Sequence, residues 1–178
     1  LEKQASERDD ADLTAESRLD ISFQRQKSAN NNDYGDVDDR IVQIQPHLTI
    51  ESDERDKTYQ EIKGEVIIIG KEAVSRDRWI ILNRQKFTMA ALEPDGKVSW
   101  EGNRFESRYD PDFGGYDYEG HLIILRNKAG EIAMLKGSNS RWEEIVEPLL
   151  KAKERTGYNR EFSQTLTLRT TFGLPTES

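Results

Sequence analysis

The chain of 178 residues has no cysteine at all, two histidines, two methionines and five prolines. Without cysteine there are no disulfides and no thiolate metal centres, although many exported proteins also lack disulfides, so the compartment stays open. Two histidines on separate segments, His47 and His121, give no ligand spacing for zinc and no partner for a nucleophile. Long apolar runs are missing too. None is longer than four residues, Val66–Ile69 being one such run, far short of the roughly 18 residues that a spanning helix needs. Positive charge is in deficit: 26 Lys and Arg face 34 Asp and Glu, a net charge of −8. That balance argues against nucleic acid and against a polybasic membrane contact.

What is present is alternation. Leu19, Ile21 and Phe23 point one way. Val42, Ile44, Pro46, Leu48 and Ile50 occupy every second position, with Gln43, Gln45, His47 and Thr49 between them. Period two means a strand with one buried face and one wet face. Pro46 has no N–H to donate, which predicts a sheet edge or a bulge there. Consecutive Val66–Ile69 within Ile62–Gly70 predicts a strand buried on both faces. Trp79–Leu82 and Phe87–Leu92 read as a fourth strand or a bent pair, followed by a turn at Glu93–Gly96. Lys97–Tyr109 reads as a fifth strand with a possible break at Gly102-Asn103. Tyr116–Arg126 and Glu131–Lys136 form a hairpin across Asn127–Gly130.

About seven strands at this spacing predict a mainly β fold: an immunoglobulin-like, fibronectin-III-like antiparallel β-sandwich. One C-terminal amphipathic helix joins it. Ser140 and Glu143 have capping-box spacing, Trp142, Ile145, Val146, Leu149 and Leu150 share one face, and Pro148 predicts a kink or two short helices. Residues 1–17 read as a flexible polar N-terminal arm and 18–154 as the sandwich with its helix. Residues 155–178 read as a C-terminal arm, possibly an added strand. Leu166, Leu168 and Phe172 alternate there and are its candidate contacts. The chain opens on Leu1, which fits a processed mature form or a trimmed one.

Candidate chemistry is thin. There is no Gly-x-Ser-x-Gly elbow, and Gly114-Gly115 lacks the Lys-Ser/Thr of a phosphate loop. Asp33, Asp36, Asp38 and Asp39 lack the ligand spacing of a calcium loop and read as a solvated surface. The richer segment interleaves Tyr109, Asp110, Asp112, Phe113, Tyr116, Asp117, Tyr118 and Glu119. Its aromatics suit a cap on the sandwich core. Tyr109, Asp110, Asp112, Phe113, Tyr116 and Asp117 are also the candidate contacts for a partner or ligand, since loops on a rigid scaffold often bind. Carboxylates beside aromatics are compatible with a carbohydrate- or calcium-binding tip, or at the far end with a glycosidase. No catalytic residue, cofactor or metal ligand is expected. Both histidines lie out of phase with their strands' apolar series and are expected to face solvent. Tyr118 or Tyr116 is the candidate for a tyrosine corner.

The order of Ile44–Ser52, Gly64–Gly70, Trp79–Phe87, Phe105–Tyr109, the Gly115-Tyr-Asp-Tyr-Glu-Gly120 block and Leu122–Gly130 resembles a group of exported bacterial proteins. These are immunoglobulin-like sandwiches, one of them encoded with type IV pilus genes in mucin-degrading gut bacteria. The resemblance covers roughly residues 19–152. It implies a non-catalytic, extracytoplasmic protein, secreted or held in the cell envelope and associated with a pilus or another envelope assembly. Partners would be envelope proteins or further copies of the chain, with no nucleic acid and no integral membrane span. It supplies no catalytic residues.

Overall fold

The computed structural model describes residues 11–31, 40–73, 77–110 and 114–166. Among them are eight strands: β1 (Leu19–Asn31), β2 (Arg40–Ser52), β3 (Ile62–Glu72), β4 (Trp79–Met89), β5 (Lys97–Glu101), β6 (Phe105–Asp110), β7 (Gly114–Arg126) and β8 (Ile132–Gly137). Two short helices follow, α1 (Ser140–Glu144) and α2 (Val146–Lys151). All pairings between strands are antiparallel. In the first sheet β2 is central, with β1 along one edge and β5 and β6 in line along the other. The second sheet has the order β4-β3-β7-β8. The two sheets join where β6 turns into β7, with Tyr109 opposite Gly115 and Asp110 opposite Gly114.

Pro46 corrects one expectation. It lies neither at an edge nor at a bulge but in the middle of the central strand, opposite Arg25 of β1. On its other side the Gly102 N–H donates to the Pro46 carbonyl at 2.8 Å. Within a strand, a residue's N–H and C=O point the same way, so the missing donor of Pro46 faces the gap between β5 and β6. The expected break at Gly102-Asn103 is therefore the counterpart of Pro46. Gln45 pins it from the same sheet, donating to the Gly102 carbonyl at 2.9 Å. Gln85 of β4 pins it from the other, exchanging bonds of 2.7 and 2.9 Å with Asn103. This break also explains the count of eight strands rather than seven. The stretch expected as a fourth strand or bent pair is one continuous β4.

β3 is buried on both faces, as its unbroken apolar run requires. Val66 and Ile68 pack between the sheets with Leu48, Ile50, Leu82, Ile123 and Leu125. Ile67 and Ile69 face the other way, into a second cluster with Ile81, Leu122, Ile124, Trp142 and Leu149. Each fully buried aliphatic side chain contributes about 1.5–3 kcal/mol of transfer free energy, so neither layer is a minor one. The molecule thus has three layers: first sheet, second sheet, and a helical cover.

The cover departs from the expected helix in detail. Asn139 takes the N-cap position without a side-chain cap bond, and Ser140 already lies inside α1, so no capping box forms. The helix breaks at Ile145 (φ −107°, ψ 28°) rather than at Pro148. Pro148 is the third residue of α2, where an N–H would have no acceptor within the helix. At the other end of α2, Arg84 of β4 satisfies the free carbonyls. Its guanidinium donates to Leu150 at 3.1 Å, to Ala152 at 3.0 Å, and to Leu149.

Parts of the two stretches set apart from the sequence as arms pack against the body. Leu13 is buried, and the Ala11 N–H reaches the Thr58 carbonyl at 2.8 Å. Tyr158 pairs with Trp79 through two bonds of 2.8 and 2.9 Å, and the Arg155 N–H donates to Ile81 at 3.0 Å. Tyr158 and Phe162 are buried in the outer cluster.

Candidate functional site

β1 changes character along its inward face. Ile21 and Phe23 belong to the core between the sheets, whereas the next two inward positions are Arg25 and Lys27. Where the apolar residues stop, the sheets leave a cleft of about 210 Å³ lined by Arg25, Lys27, Val42, Ile44, Ser107, Asp117 and Tyr118. The Arg25 guanidinium lies over the Tyr118 ring, 3.5 Å from its centroid. Burial lowers the Arg25 pKa below its ordinary value and raises that of Tyr118. Among the described residues neither Arg25 nor Lys27 has a carboxylate within ion-pair distance, although exposed Asp117 stands at the cleft.

Behind this pair sits His121. Its Nδ1 and the Tyr118 hydroxyl are 2.6 Å apart, and Phe23 covers the ring at a centroid distance of 4.0 Å. Burial, reinforced by the Arg25 charge, lowers the His121 pKa to about 4. The imidazole is therefore neutral at neutral pH. The position corrects the expectation that His121 faces solvent. From Leu122 to Leu125 β7 is buried on both faces, so being out of phase with Leu122 and Ile124 places His121 between the sheets, not in water. A bulge contributes as well: Ile69 pairs with Gly120 and Gly70 with Tyr118, leaving Glu119 unpaired. The extra residue brings Tyr118 and His121 onto one face. The Tyr118 hydroxyl consequently bonds to His121 instead of reaching back to upstream backbone, so no tyrosine corner is formed by it. His47 does lie on the outward face, 3.8 Å from Glu101.

Of the candidate contact residues, Tyr116 is half-buried and packs on the inter-sheet core, and Asp117 lines the cleft. Burial, with the Glu72 charge, raises the Tyr116 pKa, and its carbonyl accepts the Ser107 hydroxyl at 2.6 Å. Tyr109 and Asp110 contribute backbone to the β6–β7 hairpin. Asp112 and Phe113 lie outside the described residues, as do Leu168 and Phe172 of the arm. Leu166 donates its N–H to Gly157 at 2.8 Å. The sequence reading passed over Arg25 and Lys27. The signal was there, since positions 21, 23, 25 and 27 share one face and the last two carry charge.

The sheet edges differ in how they end. β4 is covered over Trp79 and Ile81 by bridges to Tyr158 and Glu154. β8 is only six residues long. β1 is thirteen residues long and, among the described residues, pairs only with β2. Arg25 faces Pro46, whose polar groups turn away from β1. Arg25 and every second residue from it, Phe23, Lys27 and Ala29, therefore aim their N–H and C=O at the open edge. The outward side chains described on this sheet are polar: Gln24 and Gln26 on β1, Gln43, Gln45, His47 and Thr49 on β2, Ser99 and Glu101 on β5. None of these residues joins either apolar cluster. Among the described residues no three His, Asp or Glu side chains are grouped to hold a metal ion, and no helix is long and apolar enough to cross a membrane.

Comparison with family models matches residues 23–101, under half of the chain, to the MSV199 domain. Comparison with curated proteins gives no match. Among solved structures, one from Akkermansia muciniphila is similar at a TM-score of 0.35 and 8% identity, over 71% of this chain and 73% of that one. A β-glucosidase from Kluyveromyces marxianus is similar at a TM-score of 0.31 and 12% identity, over 68% of this chain. The match takes up 14% of the β-glucosidase chain.

Proposed function

We propose that this chain is a non-catalytic interaction module of an extracytoplasmic assembly, and that it accepts an extended partner segment along β1. The observation that carries this reading is the thirteen-residue edge of β1, which among the described residues pairs only with β2. An open edge presents a row of unpaired backbone donors and acceptors, and strand addition uses them directly. The polar face beside it has no apolar cover among the described residues.

The finer fold belongs to this proposal. With β5 and β6 taken as the two halves of one strand, the sheets follow the order A-B-E and C′-C-F-G of immunoglobulin-like sandwiches. Such domains serve widely as non-enzymatic modules at cell surfaces, which supports the reading by analogy alone. An envelope assembly, a type IV pilus among the options, is the setting that the resemblance in strand order and in the Tyr-x-Tyr-x-Gly block implies. Cell fractionation with antibody to the chain tests the location; recovery with cytosolic markers would overturn it.

Photo-crosslinking in producing cells tests the edge. Probes at Gln24 and Gln26 are expected to give one discrete adduct, while a probe at Glu147 on the helical cover gives none. Ala29→Pro removes an N–H that points to the open edge and leaves the β1–β2 bonds intact. It is expected to abolish the adduct without moving the urea midpoint. Equal adducts from all three probes, or an adduct that survives Ala29→Pro, would overturn strand addition.

A further inference from the structure

We infer that the segment received by β1 is an acidic peptide with carboxylates two residues apart, facing Arg25 and Lys27. This rests on the strand-addition reading above and names the chemistry of the partner. A strand added to β1 alternates its side chains in step with those of β1, so its inward residues lie directly beside the inward residues Arg25 and Lys27. Those two residues also turn their backbone groups to the open edge, so one segment meets backbone and charge at the same two positions.

Among the described residues the Arg25 charge has no counter-charge. Arg25 is half-buried between the sheets, its pKa lowered by desolvation, and its contact among the described residues is the Tyr118 ring. Lys27 stands two residues on, lining the same cleft. Groups taken out of water normally find a counter-charge, and in a chain of net charge −8 carboxylates are not scarce. Among the described residues the one carboxylate lining the cleft is Asp117, and it forms no ion pair with either. A cation–π contact uses none of the guanidinium's N–H donors in hydrogen bonds to oxygen, and a carboxylate is their best-matched acceptor. The walls, Val42 and Ile44, are apolar, which strengthens a charge pair formed against them. The Tyr118 face that a sugar would stack on is taken by Arg25, and this favours a peptide over a glycan.

The test is selection of random nine-residue peptides displayed on phage against the full chain, followed by affinity measurements on the selected sequences. Enrichment of Asp or Glu at alternate positions is expected, with loss of binding by Ala29→Pro. Replacing both acids with Gln should weaken binding about tenfold, which is about 1.4 kcal/mol. Lys27→Gln, at an exposed position that folding does not need, should weaken the acidic peptide and leave the Gln peptide unchanged. Selection of neutral peptides that Ala29→Pro still blocks would overturn the acidic partner and keep strand addition. No selected peptide would overturn both. Glucuronate shifting the Arg25 resonances while no peptide is selected would assign the cleft to a sugar acid and overturn the proposal.

Discussion

The two outer faces of the sandwich are built on opposite principles. The outer face of the second sheet presents Ile67, Ile69, Ile81, Leu122 and Ile124, and every one is covered by the helices and the segment after them. The outer face of the first sheet presents glutamines, Thr49, His47 and Ser99, and among the described residues it carries no apolar cover. Both sheets share the same inner core, so the difference is not required by the fold alone. It divides labour. The covered face stores stability, and the bare face with its open edge leaves backbone available for contact.

The sharpest way to break that contrast is Trp142→Ala. The indole is buried beneath the helical cover, against Ile67, Leu122 and Phe162 in one cluster. Its loss is expected to cost about 3–5 kcal/mol, read from urea denaturation, and a cost below 1 kcal/mol would mean that the cover is not part of the core. Arg84→Gln comes next. It withdraws a charged donor from three carbonyls at the end of α2, and about 1–3 kcal/mol should be lost. Hydrogen exchange should show α2 opening before β3.

A pH series sharpens the comparison inside the core. His121 titrates at about 4 in the folded chain against roughly 6.5 when unfolded. The unfolded state therefore binds the proton first. This contribution is complete above pH 6.5 and is lost as pH falls from there towards 4. The urea midpoint should drop across that window in the native chain and stay flat in His121→Phe. Glu54 acts lower on the scale. Burial raises its pKa, but bonds from the Tyr59 hydroxyl and the Arg18 N–H and the Lys57 charge outweigh that and leave it depressed. Its share is present above the ordinary carboxylate range and fades as pH falls through the depressed value, so the native chain and His121→Phe should both lose stability there. The smallest effect belongs to the bare face. Thr49→Ala removes a hydroxyl that shares a 3.2 Å bond with Ser99, and stability should stay within about 0.5 kcal/mol.

Much of this was legible in the residues. Alternation over 42–50, the double-sided run at 66–69 and the break at Gly102-Asn103 all follow from period and local chemistry. Alternation says that a strand has two faces; it does not say which neighbour covers each. That is why Pro46 read as an edge residue, although β2 is central: the partner strand is interrupted opposite it, and no local signal reports an interruption some 55 residues away. His121 was misread for a related reason. Phase separates wet from dry only when one face is wet, and β7 has no wet face over Leu122–Leu125. Arg25 was visible at an inward position, but a charge there looks like an exception until the cleft is seen. The residues 109–117 were chosen for composition, and the structure brings Tyr116 and Asp117 to the same end of the sandwich as Arg25.

The gap at Pro46 has a further consequence. A Cβ on Gly102 would come within 2.7 Å of the Pro46 ring and within 2.8 Å of the Gln85 side chain. The ring and the glycine therefore fit each other at one alignment. If β5 slid along β2 by two residues, every side chain would keep its face, and hydrophobic patterning would not object. An N–H-free position would then meet a carbonyl that needs a donor, while a residue with a side chain would be driven into the ring. The proline thus works as an alignment key: it forbids the one class of mispairing that the alternating pattern itself tolerates.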